Sequence, residues 1–388
     1  MADLFDVAVV GAGPAGTSAA LQVLRTRPDA RVALLDAADF PRDKTCGDGI
    51  AAHVFDVLES LGVEGLERLG PPVPRLRLRI PSGRTVDRTC ARPNRVIPRK
   101  VFDAELVRAA VSRGALPFRH RVRGFEVRSD RVVLDNGVEA RVVIGADGAN
   151  SSMRRLLGGP RYEPNGVAVA IRGYASHSLE TDALVIEFAR AAYPAYAWAF
   201  PLPDGRSNVG YGVFHANGGG NRQELLDMLQ RLLPGLPPEP ESVRGHRLPL
   251  SSGQRFHPDG RVLLAGDAAA MVNPFTGEGI YEAVVSGVLA GRAALLGAHA
   301  GRAHRQAMRR RFGRHQRHTA WLADLIRRDW FLEAGLVAAA RDHRVFDATV
   351  ELGLGTGTIP FSAIGPVLTA ALHVARERSR SASGGPFS

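Results

Sequence analysis

The chain has 388 residues, 45% of them hydrophobic and 23% charged, with a formal net charge of +11. That length predicts two or three domains with sizeable cores, and the composition excludes disordered, collagen-like and fibrous classes. The charge is carried by arginine: of 50 basic residues only Lys44 and Lys100 are lysines, which leaves 48.

Residues 5–10 are β-rich and end at Gly11, residues 15–26 lack breakers beyond Gly16 and predict a helix, and 31–36 predict a second strand ending in Asp36. Gly11-Ala-Gly-Pro-Ala-Gly16 therefore links a strand to a helix. Gly11 allows the tight turn, Gly13 lets backbone approach a pyrophosphate, and Gly16 lets helix and strand pack closely. The helix start at Ala15 supplies amides and a positive dipole, and Asp36 is placed to accept ribose hydroxyls. A dinucleotide site is predicted. The Gly-rich loop Pro41-Arg-Asp-Lys-Thr-Cys-Gly-Asp-Gly49 follows, where Lys44 and nearby amides predict a favoured thiolate at Cys46.

Residues 74–89 alternate around a Pro-Ser-Gly turn and predict an antiparallel hairpin. A helix is predicted over 100–113, just after Arg99, and strands over 121–147, ending in Gly145-Ala-Asp147. From 165 to 215 several strand-like runs predict a second antiparallel sheet, before an amphipathic helix at 222–233. In one of these runs Tyr196, Trp198 and Phe200 share a face and predict an apolar pocket wall, while Gly210 and Gly212 remove side chains where something approaches closely. The strand 261–265 leads through Gly266-Asp267 and Asn273-Pro274-Phe-Thr-Gly277-Glu-Gly279-Ile280 into a helix over 278–297, whose first amides are placed to face a flavin edge. Three strand-end turns, at Gly11, Asp147 and Asp267, imply a long ligand. The remainder to about 376 is helical by composition, with a frayed tail from Ser379.

The predicted fold is α/β: a Rossmann-like dinucleotide-binding domain (1–70, 99–160 and 255–300), the FAD-binding domain of the resemblance given below, interleaved with an antiparallel β-sheet substrate domain (71–98 and 161–254), plus C-terminal helices over 301–388. Cys46 and Cys90 cannot form a disulfide framework, the opening Met-Ala-Asp shows no leader, and the chain reads as cytoplasmic. No apolar run reaches the ~18 residues of a membrane span. Residues 292–330 hold ten arginines against Asp324 and Asp329, or +8. Arg302–Arg317 lacks zinc, RNP and helix-turn-helix signatures, its arginines spread around a helix axis, and Gly313 weakens that helix, so nucleic acid is not an expected partner. A solvated helix face comes first, and contact with a membrane surface or an anionic substrate group second.

The order of the three turns resembles the flavoprotein fold of para-hydroxybenzoate hydroxylase over about the first 300 residues. The resemblance implies FAD, with Asp36 on the adenosine ribose, Asp267 on the ribityl or pyrophosphate part, and Arg99 matching an arginine that contacts the cofactor. Two further motifs resemble the geranylgeranyl reductase family: Pro41-x-x-Lys44-x-Cys46-Gly47, and Tyr196-x-Trp198-x-Phe200-Pro201 followed eight residues later by Gly210-Tyr-Gly212; Asn273–Ile280 also fits its usual form. That family implies reduction of C=C bonds in an isoprenoid or related hydrophobic substrate by hydride from reduced flavin N5. Cys46, Tyr196, Trp198 and Phe200 are then the catalytic candidates, with Lys44, Cys46, Gly47, Pro274, Gly277, Gly279 and Ile280 beside the cofactor. Tyr196, Tyr211, His53 and Cys46 are unranked proton donors, and the Arg-rich segment is one source of cationic groups for an anionic substrate end. The electron donor is NAD(P)H or ferredoxin. Two alternatives stay open: a monooxygenase acting on an aromatic or polyketide-type substrate, and a flavoprotein using FAD structurally or in a redox-neutral step.

Overall fold

The computed structural model describes residues 4–189, 195–214, 220–237, 240–253 and 255–383. In chain order the strands are β1 (Leu4–Val10), β2 (Val32–Asp36), β3 (Gly49–Ile50), β4 (Pro72–Arg79), β5 (Thr85–Val96), β6 (Ala115–Arg119), β7 (Phe125–Val127) and β8 (Val132–Leu134). They continue with β9 (Glu139–Gly145), β10 (Val167–Ala175), β11 (Ala183–Phe188), β12 (Ala195–Pro201), β13 (Ser207–Phe214), β14 (Glu241–Pro249) and β15 (Val262–Leu264). The helices are α1 (Pro14–Thr26), α2 (Ala52–Ser60), α3 (Arg99–Ser112), α4 (Ser152–Leu156), α5 (Arg222–Leu232), α6 (Ile280–Ala294), α7 (Ala300–Leu325), α8 (Asp329–Arg341), α9 (His343–Leu354) and α10 (Phe361–Ser383).

The first sheet runs β6-β2-β1-β9-β8-β7, with β15 also on β9. Its central strands β2, β1, β9 and β15 pair in parallel, and Val7, Ala8, Val9, Val142, Val143 and Leu263 are fully buried. Such continuous apolar runs are what strands covered on both faces require. Helices α1 and α6 lie against each other on this sheet. They meet at backbone distance because α6 carries Gly287 and Gly291: a Cβ there would fall 2.1 Å from Ala15 O and 2.5 Å from Ala19 O. The edge strand β6 lies upstream of the predicted strand region. Its Pro117 and largely exposed pattern hide it from a periodicity reading.

The second sheet runs β14-β10-β13-β12-β11-β4-β5-β3. The predicted hairpin is the β4–β5 pair, and the parallel pairing of β4 with β11 joins the two chain segments assigned to the substrate domain. Strand β3, inside the stretch assigned to the FAD domain, pairs with β5, so the Gly-rich loop just before it spans from one sheet to the other. One face of this sheet buries Ile171, Val209 and Tyr211 against Leu225 and Leu229 of α5. The other faces α8, α9 and α10, where Leu76, Leu78 and Leu184 join a cluster with Leu332, Leu336, Phe346 and Val374. Among the described residues, no helix is long and apolar enough to cross a membrane.

Candidate active site

The glycines of the first turn divide by what a side chain would strike. Gly11 has φ +104° and a Cβ would lie 2.3 Å from Ala146 O; at Gly16 it would lie 1.8 Å from Gly11 O. Both are dictated by packing, and Gly16 does not border the cavity described below. Gly13 is different, because the first atom a Cβ would meet is Arg42 Nη2 at 3.7 Å. Open space therefore faces an α1 N-terminus that has no side-chain cap, which is the arrangement that receives a pyrophosphate.

Asp36 closes this end. Its Oδ2 accepts from Ala12 N at 2.9 Å and its Oδ1 from Ala38 N at 3.0 Å. Arg42 lies 3.8 Å from Asp36 and 3.3 Å from Asp103. Arg99 is buried and grips Asp103 with two bonds of 2.6 and 2.7 Å while bordering the cavity. Asp147 also borders it, but its carboxylate accepts from Ser151 Oγ, Ser152 N, Ser152 Oγ and Met153 N, so it builds the turn into α4.

The Gly-rich loop is held by Asp48, a fully buried residue with φ +60°. Asp48 accepts from Arg99 N (3.1 Å), Asn208 Nδ2 (2.7 Å) and Tyr174 OH (3.0 Å). Burial nevertheless raises its carboxyl to about 6. Asn208 also donates to Cys46 O at 2.8 Å and accepts from Trp198 Nε1 at 2.9 Å, which ties the loop to the sheet. The Cys46 thiol is pushed up by burial, with Arg99 opposing. Burial thus works against the expected thiolate, since desolvation disfavours the charged form. Lys44 Nζ lies 2.6 Å from His246 Nε2. Burial lowers both groups, and with the Lys44 charge it takes His246 to about 4. Arg172, 1% exposed, pairs with Asp43 at 2.8 Å and lies 4.5 Å over the Tyr174 ring, yet its Nε and Nη1 have no hydrogen-bond partner.

Strand register builds the wall. One row across the sheet reads Arg172, Gly210, Trp198, Ile186 and Leu78, and the next His246, Ala170, Gly212, Tyr196 and Phe188. The group that approaches Gly210 is the Trp198 indole, because a Cβ there would lie 2.2 Å from Cζ2. Phe200 does the same for the loop, 3.3 Å from a Cβ at Gly47 or Gly49. Tyr196 OH donates to Thr276 O and would meet a Cβ at Gly277 at 3.2 Å.

Two of the four predicted proton donors leave the site. Tyr211 alternates to the opposite face, under α5, and His53 binds Glu351 at 3.0 Å outside the cavity. Glu278, unnoticed as a site residue inside the Asn273–Ile280 motif, borders the cavity, and burial pushes it up to about 7. Its Oε1 accepts from Ile280 N at 2.9 Å, so the amide expected to face a flavin edge is already engaged. Pro274 is buried behind the turn and does not border the cavity, whereas Gly266, Asp267, Gly277 and Gly279 do. Besides Glu278, the residues sequence reasoning missed are Arg42, Arg172 and His246. Arg42 stood inside the quoted loop; Arg172 and His246 carry no local signal on their strands.

These groups surround one cavity of about 1160 Å3, which runs from Val10 and Asp36 past Lys44, Cys46 and Trp198 to α8–α10. It exceeds the ~300–1,000 Å3 of a drug-sized pocket. Its far part is apolar, with Leu78 and Ile186 facing Leu336, Phe346 and Val367. No arginine of 302–317 borders it, so that segment does not supply cationic groups to this cavity. The open face at Gly13, the uncapped α1 start and the ring of Asp36, Arg42 and Arg99 fit a dinucleotide; Lys44, Cys46, Asp267 and Gly279 would flank its flavin end.

A model of the FAD binding domain family matches residues 5–209. A menaquinone reductase of Mycolicibacterium smegmatis is 34% identical over 314 residues, covering 74% of this chain and 75% of that protein. Digeranylgeranylglycerophospholipid reductase 1 of Methanopyrus kandleri is 33% identical over 315 residues, covering 75% and 80%. The crystal structure of a geranylgeranyl bacteriochlorophyll reductase-like protein from Thermoplasma acidophilum superposes with a TM-score of 0.76 at 21% identity, covering 98% of this chain and all of that one, which shows a shared fold.

Proposed function

The chain belongs to the geranylgeranyl reductase family of FAD-dependent oxidoreductases, and from that premise we propose that it reduces C=C bonds in the polyprenyl chain of a lipid. The observation that carries this reading is the apolar tract that continues the dinucleotide cleft under α8–α10. An apolar space of this size suits a polyprenyl chain and offers a polar aromatic acid little to bind. Menaquinone and digeranylgeranylglycerophospholipid, named in two relatives, both carry such chains.

Bound FAD supplies hydride from its reduced N5 to one alkene carbon. The protein's part is to align the alkene, exclude water and deliver a proton to the other carbon. Tyr196, Trp198 and Phe200 form one side of the space in which the alkene lies, and Leu336, Phe346 and Val367 form the other. Glu278 is the proton donor in this reading, because it borders the cavity and burial raises it to about 7, so that a substantial fraction stays protonated near neutral pH. Cys46 and Tyr196 flank it and stay neutral for the same reason. The lipid enters beside Trp321, Ile364 and Leu368, which border the cavity while 56%, 43% and 61% exposed. Entry there makes the protein peripheral to a membrane. Electrons come from NAD(P)H or a ferredoxin-type carrier.

The test is anaerobic. Photoreduced holoenzyme is mixed with a geranylgeranyl lipid or with its fully saturated counterpart, and flavin absorbance is followed. Reoxidation by the unsaturated lipid alone supports the proposal. If no polyprenyl lipid reoxidises the flavin, and aromatic compounds are consumed only with oxygen, the monooxygenase reading replaces it.

A further inference from the structure

The arginines of α7 serve a second place on the molecule. Arg302, Arg305, Arg309, Arg310 and Arg317 line, with Arg255, a groove of about 840 Å3 that shares no lining residue with the substrate cavity. The sequence predicts an even spread around the axis. The structure instead gathers these five on one side, because positions 302, 305 and 309, and beside them 310, 313 and 317, recur at three and four residues and so form two adjacent rows on the helix surface. Arg311 points elsewhere, to Tyr281 OH and Thr356 Oγ1.

The groove is undercompensated. No acidic side chain lines it among the described residues. Asp259, at its end, holds Arg305 at 2.9 Å and acts on Arg302 at longer range, and Arg255 donates to Gln316. Arg309, Arg310 and Arg317 have no ion-pair partner among the described residues. His257, which also lines the groove, is held neutral chiefly by burial, with His304 and Arg255 beside it acting in the same direction, so it adds no charge there.

Gly313 points to the same conclusion independently. It lies in the interior of a 26-residue helix, where glycine is less favourable than alanine, and it lines the groove. A Cβ at Gly313 would meet no protein atom within 4 Å. Packing does not ask for this glycine; its missing side chain leaves room between the arginines.

We infer that this groove binds a phosphate-bearing anion, either a free diphosphate or the headgroup of an anionic lipid, through Arg309, Arg310 and Arg317. Guanidinium groups engage phosphate oxygens two at a time, and several together require a multiply charged ligand or a charged surface. Because the groove and the cavity share no wall, the ligand anchors or signals and does not donate electrons to the flavin.

The experiment uses the FAD-bound full chain. Inorganic pyrophosphate is titrated calorimetrically, and flotation is compared between phosphatidylglycerol-containing and phosphatidylcholine-only vesicles, at low and high salt. Saturable pyrophosphate binding identifies a free phosphate ligand; flotation with phosphatidylglycerol vesicles alone identifies a headgroup. Either supports the proposal. The Arg309→Glu/Arg310→Glu variant is expected to bind roughly tenfold or more weakly, with unchanged flavin content and melting temperature. Gly313→Ala is expected to melt higher and bind more weakly. Failure of both probes at low salt, or either variant binding like the wild type, overturns the inference.

Discussion

At Glu278, burial and function point the same way. The carboxyl borders the cavity and is pushed up to about 7, above the ordinary 4.5, chiefly by burial. A proton donor must be protonated to act, so turnover limited by this step falls as pH rises through about 7 and holds below it. Glu278→Gln, which keeps the side-chain shape, is expected to lower the single-turnover rate about 100-fold or more and to remove that limb. Unchanged rate and profile would assign the proton to another group. Gly210 makes a packing prediction. A methyl there would meet Trp198 Cζ2 at 2.2 Å and the Ile171 carbonyl at 2.3 Å, and the carbonyl belongs to a paired strand that cannot retreat. Gly210→Ala should cost about 1–3 kcal/mol and alter Trp198 fluorescence; chemical denaturation and emission spectra check both. Residues of this kind differ in how legible they are. Asp36 stands at a fixed offset from a glycine turn and Arg99 matches an arginine of the family resemblance, so sequence points to both. Arg172 and His246 do not, since Arg172 is a lone charge on an apolar strand and His246 one of several polar residues on an edge strand, and only the register of β10 and β14 places them beside Lys44.

Helix α1 shows how an element separates packing from binding. Gly13→Ala should leave the melting temperature of the FAD-free protein within about 1 °C, since the side chain meets nothing closer than 3.7 Å. It should weaken FAD binding about tenfold or more, because the methyl occupies space at the uncapped helix start. Gly16→Ala should instead prevent correct folding, with a Cβ 1.8 Å from Gly11 O. Thermal melts and flavin titrations of the two variants distinguish these roles. The strand-turn-helix start was legible because apolar runs, glycines and the acid occur in a fixed local order. Strand β6 was not, because Pro117 and exposed positions blur its period, and its pairing with β2 depends on residues far away in the chain.

On the scale of the whole molecule, the parallel and antiparallel runs predicted two sheets, and the described residues form two. The roof of the cavity was not legible. Helical composition after residue 300 gives no indication that α8–α10 cover the β4–β11 face, because a helix's partner is set by the tertiary arrangement of apolar stripes. The same limit hid the groove on α7, where charge was evident but its gathering on one side was not. What the assembled molecule offers is a dinucleotide cleft opening into an apolar channel. The most direct test is the mass of the product. Photoreduced holoenzyme is incubated without oxygen with a polyprenyl lipid, and the extracted lipid is analysed by mass spectrometry. The account predicts a gain of two hydrogen atoms for each bond reduced, with one flavin oxidised per bond in a single turnover. A lipid recovered unchanged, or an oxygen atom gained only when air is admitted, would contradict it.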